Sequence, residues 1–231
     1  MKDWVVEQGL RAGDRLPGEA ELIDRFGMSK GTVREAMRIL KAQGLIRTRT
    51  GPGGGNFVHE VSRERARALL GNYFYFQNLT IDDIYQLRRV LEPELAATLA
   101  GHVPEDVLAR LEANLAAYAL PAATPEEERA QHVASLRFHA ILAEQSGNPL
   151  LGFVIDFMVK LLSDLTVYRR LYEPQNLELW KQGLDHHRRL ILALRSGDST
   201  AARSTMADHM EMACTLMRAQ EAIMEHRFLS D

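Results

Sequence analysis

Residues 19–46 read EAELIDRFGMSKGTVREAMRILKAQGLI, and they contain the strongest structural signals in the N-terminal part of the chain. Its first part predicts a short helix over 19–26. Ser29 is a good helix N-cap and Gly44 a good helix stop, so a second helix is predicted over 29–43. Apolar residues recur at helical spacing and predict the buried face of that helix: Val33, Met37 and Leu40.

A glycine-dense segment, GPGGGN at 51–56, follows the second helix. It separates two short β-prone runs, LIRTRT at 45–50 and FVHE at 57–60, and therefore predicts the tip of a β-hairpin. Helix, tight turn, helix and hairpin in this order predict a winged helix-turn-helix domain over residues 1–60.

From residue 61 onward the sequence is typical of one helix after another. Thr80 to Asp83 form a capping box, Thr124 precedes a first-turn proline, and Asn148-Pro149 and Gly197-Asp198 mark further helix ends. About six or seven helices joined by short turns predict an all-α helical bundle over residues 61–231. The fold class is therefore mostly α, with a winged helix-turn-helix followed by a helical-bundle effector domain.

Charge is distributed unevenly between these two parts. Residues 1–60 hold 10 Lys and Arg against 8 Asp and Glu, whereas residues 61–231 hold 18 against 23. A basic module on an acidic body favours a polyanionic partner for the small part, although a solvated charged face is the alternative. No stretch is long and apolar enough to span a membrane, and the single cysteine, Cys214, favours a reducing cytoplasm.

The predicted winged domain identifies candidate contacts with double-stranded DNA. The N-terminal residues of the second helix are expected to reach base edges and phosphates in the major groove, and the wing is expected to contact the adjacent backbone or minor groove. The candidate DNA-binding residues are Ser29, Lys30, Gly31, Thr32, Arg34 and Arg38 on the helix, and Arg47, Arg49, Thr50 and Gly51 on the wing.

Residues 9–58 resemble the operator-binding region of GntR-family transcription regulators. The resemblance rests on GDRLPGEAELIDRFG and on MSKGTVREAMRILKAQGLI, followed by the glycine wing. Lys30 stands where the family usually has arginine, which preserves a phosphate contact but not a bidentate base contact. Ala20 replaces a position that is commonly arginine.

The C-terminal part resembles the FCD effector domain of the FadR-type branch of that family. The matching segments are IYQLRRVLEPELAATLA at 84–100, FHAILAEQSGNPLL at 138–151, HRRLILALRSGD at 187–198 and ARSTMADHM at 202–210. In many such domains three histidines and an aspartate hold a divalent metal. The resemblance places the histidines at His139, His187 and His209, which could hold Zn²⁺ or Ni²⁺, but the aspartate position is Ser135.

Three further residues are candidates for binding an effector. The resemblance implies that Arg88 faces the ligand cavity and binds a carboxylate; the alternative is an ion pair with Glu92 four residues later. Ser135 is expected to hydrogen-bond a water or to leave room for an acid that supplies the missing carboxylate. Tyr168 is expected to line the bundle interior, or else to belong to an ordinary aromatic core stripe.

These features together predict a metabolite-responsive transcription regulator rather than an enzyme. We expect a repressor that binds a pseudo-palindromic operator as a homodimer and responds to a small organic acid, since one short winged module makes too few contacts for specific binding. The alternative is a metal-dependent hydrolase built on the three histidines, which would need a general base beside a metal-bound water.

Overall fold

The computed structural model describes the backbone of residues 1–228 and the side chains of residues 1–223. The chain divides into two compact units, Met1–Leu70 and the part from Gly71 onward. The division falls inside a helix, α4 (Arg63–Tyr75), and not in the segment at residue 60 that follows the hairpin.

The first unit contains three whole helices, the first part of α4 and a two-stranded sheet. The helices are α1 (Lys2–Glu7), α2 (Glu19–Phe26) and α3 (Lys30–Ala42), and the antiparallel strands are β1 (Ile46–Arg49) and β2 (Gly55–Val58). The predicted N-cap is confirmed, because the Ser29 hydroxyl accepts a hydrogen bond from the Thr32 backbone N–H at 3.2 Å. Gly27 ends α2 with a φ of 61°, in the left-handed region that favours glycine.

The core of this unit is small. Leu16, Leu40 and Ile46 are buried together, and the partly buried side chains around them include Trp4 and Met37. The wing turn requires glycine at position 54, because a Cβ there would lie 2.6 Å from the Arg49 carbonyl oxygen. The order of elements confirms the predicted winged helix-turn-helix.

The second unit is an all-α bundle, as predicted. After the end of α4 it contains α5 (Ile81–Leu99), α6 (Glu105–Ala116), α7 (Pro125–Glu144), α8 (Pro149–Tyr168), α9 (Leu177–Ser196) and α10 (Ser199–Phe228). Helix α10 packs against α5 and α9, and α7 packs against α6 and α8. In the part of the chain that the structure describes, no helix combines the length and apolar character that a membrane span needs.

Local capping explains where several of these helices begin. Thr80 and Asp83 form the predicted capping box at α5, with reciprocal side-chain and backbone hydrogen bonds. Thr124 caps α7, whose first residue is a proline, and Asn148 accepts hydrogen bonds from the first turn of α8. The start of each helix sets the register with which it presents its side chains to the bundle interior.

Candidate functional site

The exposed N-terminal turn of α3 carries the predicted major-groove residues. Arg34 donates from Nε to Glu19 at 2.9 Å, and the Lys30 ammonium lies 3.8 Å from the other oxygen of the same carboxylate. The hydrogen bond from Arg34 lowers the pKa of Glu19 below its usual range. Ser29 and Thr32 share a hydroxyl–hydroxyl hydrogen bond of 2.9 Å. Both cations are therefore held near one carboxylate on α2 while remaining accessible.

The remaining predicted DNA-binding residues lie further along α3 and on the wing. Arg38 is exposed and pairs with Glu35 at 3.2 Å. Arg47 and Arg49 alternate with Thr48 along β1, so they share one face of the hairpin. The guanidinium of Arg49 lies over the Phe57 ring, 4.6 Å from its centroid. Thr50 and Gly51 are exposed and begin the turn.

Arg15 is a residue that the sequence reasoning did not single out. Its side chain donates to the Gly54 carbonyl at 2.7 Å, and its backbone pairs with Phe57. It thereby holds the wing tip from outside the hairpin. No local pattern signals this contact, because the two partners are far apart in the sequence.

In the second unit the structure brings the three predicted histidines together, from three different helices. The Nε2 atom of His139 on α7 lies 3.3 Å from Nε2 of His187 on α9 and 3.2 Å from Nε2 of His209 on α10. Two nitrogens bound to one Zn²⁺ at about 2.0–2.1 Å lie about 2.8–3.4 Å apart in octahedral or tetrahedral geometry. The side chains present therefore fit a divalent metal ion.

Neighbouring groups orient the first two of these imidazoles. Glu92 accepts from His139 Nδ1 at 2.5 Å, and the Tyr118 hydroxyl lies 2.9 Å from His187 Nδ1. These contacts leave the Nε2 atoms directed at one another, which is the usual arrangement of metal-ligating histidines. Burial lowers the pKa of all three imidazoles, and a neutral imidazole is the form that ligates a metal.

Arg88 forms the ion pair and also lines the cavity, while its binding of a carboxylate stays a prediction. Its Nε donates to Glu92 at 2.5 Å, so the ion pair with its neighbour four residues later is present. Its Nη2 is buried without a hydrogen-bond partner, and the residue lines the same cavity as His139 and His209. Although burial opposes it, the charge of Arg88 and the hydrogen bond from His139 lower the pKa of Glu92 to about 2.

The cavity beside the histidines measures about 50 Å³, which is room for a few water molecules or a small polar ligand. Ser135 lines it one helical turn before His139. The expectation that Tyr168 lines the bundle interior is wrong, because its side chain is 80% exposed. The buried face of α8 follows Ile155, Leu162 and Thr166, and Tyr168 at the helix end lies off that face.

Sequence reasoning also missed the link between Glu92 and His139. The spacing of Arg88 and Glu92 suggested only a local ion pair. The contact with a histidine 47 residues later depends on how α5 packs against α7, and no sequence pattern reports it.

Comparisons with known proteins agree with both parts of the chain. Residues 1–58 match the model of bacterial regulatory proteins of the gntR family, and residues 83–212 match that of the FCD domain. The Exu regulon transcriptional regulator of Escherichia coli strain K12 is 27% identical over 213 residues, covering 89% of this chain and 77% of that protein. The HTH-type transcriptional regulator LutR of Bacillus subtilis strain 168 is 25% identical over 208 residues, covering 89% and 93%.

A solved structure of Streptococcus agalactiae GntR shares the fold, with a TM-score of 0.60 at 24% identity, covering 92% of this chain and 94% of that one. The matched domains account for both the winged unit and the bundle with its histidines. The chain belongs to the gntR family of bacterial regulatory proteins and is a DNA-binding transcription regulator with an FCD domain.

Proposed function

We propose that this regulator represses transcription as a homodimer on a pseudo-palindromic operator, and that a small organic acid controls its DNA binding. The acid would bind beside a Zn²⁺ or Ni²⁺ ion held by His139, His187 and His209. The observation that carries the effector site is the buried, unpartnered Nη2 of Arg88 in the cavity that His139 and His209 also line.

The DNA contacts follow from the exposed basic surface of the first unit. Residues at the start of α3 would read base edges and phosphates, while the wing would bind backbone or minor groove. The proposed contacts are Ser29, Lys30, Gly31, Thr32, Arg34, Arg38, Arg47, Arg49, Thr50 and Gly51. Two such modules related by two-fold symmetry double a small set of contacts, which supports a dimer on a pseudo-palindrome.

The metal proposal rests on three neutral imidazoles that converge from three helices. When bound, the ion would supply a Lewis-acidic anchor for a carboxylate oxygen. Ser135 supplies no charged ligand, so a carboxylate of the effector would occupy the position that aspartate fills in many FCD domains. Metal and acid would then raise each other's affinity, because each completes the other's site.

Arg88 would bind the same acid from its other side. A buried guanidinium N–H without a partner is costly, and a carboxylate satisfies it with a charge-assisted hydrogen bond. Glu92 leaves this N–H available, because it is bonded to Nε of Arg88 and to His139. Glu92 thereby joins the acid-binding arginine to a proposed metal ligand.

A metal-dependent hydrolase is less well supported. Such an enzyme needs a general base near the metal-bound water. Glu92 is the carboxylate bonded to a histidine of the cluster, and it is held by Arg88 and His139 with a pKa of about 2. A carboxylate that is so acidic and so fully engaged is a poor proton acceptor.

Calorimetric titration of metal-free protein with Zn²⁺ tests the metal site. We expect His187→Ala to weaken binding by at least about 100-fold, and Ser135→Asp to tighten it by about 10-fold. His102→Ala is the control, because His102 is an exposed histidine of the same unit outside the cluster. Equal loss in both histidine variants would remove the proposed site.

A promoter reporter tests the regulatory role. An operator is first selected from random-sequence DNA with the purified regulator, and then placed at a promoter in cells with and without the protein. We expect lower reporter output with the protein, a two-fold symmetric selected sequence, and two copies of the chain per operator. Higher output would identify an activator, and one copy per site would contradict the dimer.

A further inference from the structure

Unpartnered buried polar atoms cluster at one place in the second unit. Among side chains of residues 1–223, the buried nitrogen and oxygen atoms without a hydrogen-bond partner belong to Arg88, Asn114, Glu128, Gln131 and His209. All of these except Asn114 line the cavity beside the histidines. Buried polar atoms are nearly always hydrogen-bonded, so this concentration indicates a polar ligand.

Two of the four cavity groups have no part in the function proposed above. They are the Oε2 atom of Glu128 and the Oε1 atom of Gln131, and both are hydrogen-bond acceptors. Glu128 is only 8% exposed. Burial raises its pKa, against hydrogen bonds from the Gln175 side chain and the Asn176 backbone.

The amide of Gln131 has a defined orientation. Its Nε2 donates to the Leu120 carbonyl at 2.8 Å, which leaves Oε1 as the end without a partner. The cavity therefore presents donors at Arg88 and acceptors at Gln131 and Glu128.

On helix α7 the two acceptors lie toward the N-terminus from His139. Glu128, Gln131, Ser135 and His139 recur at spacings of three and four residues and all line the cavity, so they share one face of the helix. At 1.5 Å per residue, Gln131 lies about 6 Å and Glu128 about 10 Å along the axis from Ser135. In an acid whose carboxylate lies near Ser135 and Arg88, the third to fifth carbon atoms after the carboxylate carbon would lie near these acceptors. This follows because C–C bonds are about 1.5 Å long.

We infer that Glu128 and Gln131 form a second subsite that selects a hydroxy acid of about four to six carbons, by accepting hydrogen bonds from a hydroxyl group far from its carboxylate. This inference rests on the proposed effector site at Arg88 and the histidines. An ammonium group fits less well, because it has three donors to satisfy and the subsite offers two unpartnered acceptors.

A matched series of ligands tests the subsite on the full chain loaded with Zn²⁺. The four-carbon set is butyrate, 4-hydroxybutyrate and 4-aminobutyrate, which share one carbon chain and differ only at the end far from the carboxylate. The six-carbon set contains the corresponding acids, and glycolate is a two-carbon reference. Affinity is measured by calorimetry and by the shift of the thermal unfolding midpoint. We expect the terminal hydroxyl to tighten binding by about 10-fold or more over the methyl end, because it satisfies a buried acceptor.

Variants assign that preference to the subsite. Glu128→Met should abolish the advantage of the hydroxyl, whereas Glu128→Gln keeps an acceptor and should retain part of it. Glu126→Met is the matched control on an exposed position of the same helix and should retain all of it. Circular dichroism checks the fold of each variant, and the ligand series on the unmodified protein stands independently of them.

The outcomes separate this inference from the proposed function. If the acids bind but a terminal hydroxyl gives no advantage at any length, or an ammonium gives a greater one, the hydroxyl subsite is wrong while the effector site stands. If none of the acids binds, in the presence or absence of Zn²⁺, the proposed effector site itself fails, and the subsite with it.

Discussion

Arg34 and Arg88 form the same kind of ion pair in opposite surroundings. In the first unit Arg34 donates to Glu19 at 2.9 Å, and the two side chains are 56% and 40% exposed. In the second unit Arg88 donates to Glu92 at 2.5 Å, and these side chains are 1% and 2% exposed. Water screens the first pair and competes for it, whereas the second pair has little competition from solvent.

This difference matches what each arginine is proposed to do. Arg34 must leave Glu19 to contact DNA, and an exposed pair costs little to break. Arg88 must keep its position while one N–H receives a small acid, so a fixed buried partner is an advantage. The chain thus uses a weak pair at the surface that exchanges partners and a strong pair in the interior that stays closed.

Removing the carboxylate of each pair should separate the two roles most clearly. Glu92→Gln leaves the Arg88 charge buried without compensation and should lower the free energy of unfolding of the second unit by about 4 kcal/mol. Glu19→Gln, the matched exposed change, should leave stability unchanged within error. Urea unfolding monitored by fluorescence measures both, because Trp4 lies in the first unit and Trp180 in the second. Similar stability of the two variants would contradict the comparison.

Acid should destabilise the second unit of the metal-free protein. Burial, together with the Arg88 charge, lowers the pKa of His132 to about 4. Burial is also the largest cause of the lowered pKa of His187 and of His209. The unfolded chain binds these protons near pH 6.5 but the folded chain does not, so stability is complete above pH 6.5 and is lost as the pH falls. We expect a loss of about 1.4 kcal/mol per histidine at pH 5.5, or about 4 kcal/mol together.

Unfolding of a Trp4→Phe variant, in chelator and between pH 7.5 and 5.5, measures this loss through Trp180. The first unit provides the comparison, because its histidine, His59, is exposed. A constant free energy of unfolding across this range would mean that the imidazoles bind protons equally in the folded and the unfolded chain, so that burial does not lower their pKa.

Arg34→Ala should weaken specific operator binding by about 10- to 100-fold, the range expected for loss of one base contact of about 1–3 kcal/mol. Arg25→Ala is a suitable control, because Arg25 is also an exposed arginine paired with a glutamate, Glu21, but lies at the end of α2. Fluorescence anisotropy with the selected operator, at fixed salt, measures both. Equal affinity of Arg34→Ala and the unmodified protein would remove Arg34 from the recognition surface.

The two regions also differ in how well the sequence predicts them. The helices of the winged unit begin and end on local signals, since Ser29 caps α3 and Gly27 ends α2, whereas the contact of Arg15 with the wing tip spans 39 positions. The histidine cluster was located only by a family resemblance, because its members are separated by 48 and 22 positions. Packing, and not local preference, brings Glu92 to His139 and leaves Tyr168 outside.

The wing provides the smallest expected effect and the finest test of the exposed surface. Arg49 stacks on Phe57 with its guanidinium free to reach a phosphate, and Arg47 lies on the same strand face. A phosphate contact adds affinity for any sequence by releasing counterions, so its loss should reduce the slope of log affinity against log salt by about 1. Arg49→Ala should therefore weaken binding only about threefold to tenfold at physiological salt, and equally for operator and random DNA.

The salt series decides between a phosphate contact and a base contact. Affinities of Arg49→Ala and Arg34→Ala for operator and random DNA are measured between about 50 and 300 mM salt. In plots of log affinity against log salt, Arg49→Ala should lower affinity equally for operator and random DNA and make both slopes less steep. Arg34→Ala should instead lower the affinity for operator DNA toward that for random DNA. If Arg49→Ala instead reduces the difference in affinity between operator and random DNA at every salt concentration, the wing contributes to sequence recognition. The division between a reading helix and an anchoring wing would then have to be abandoned.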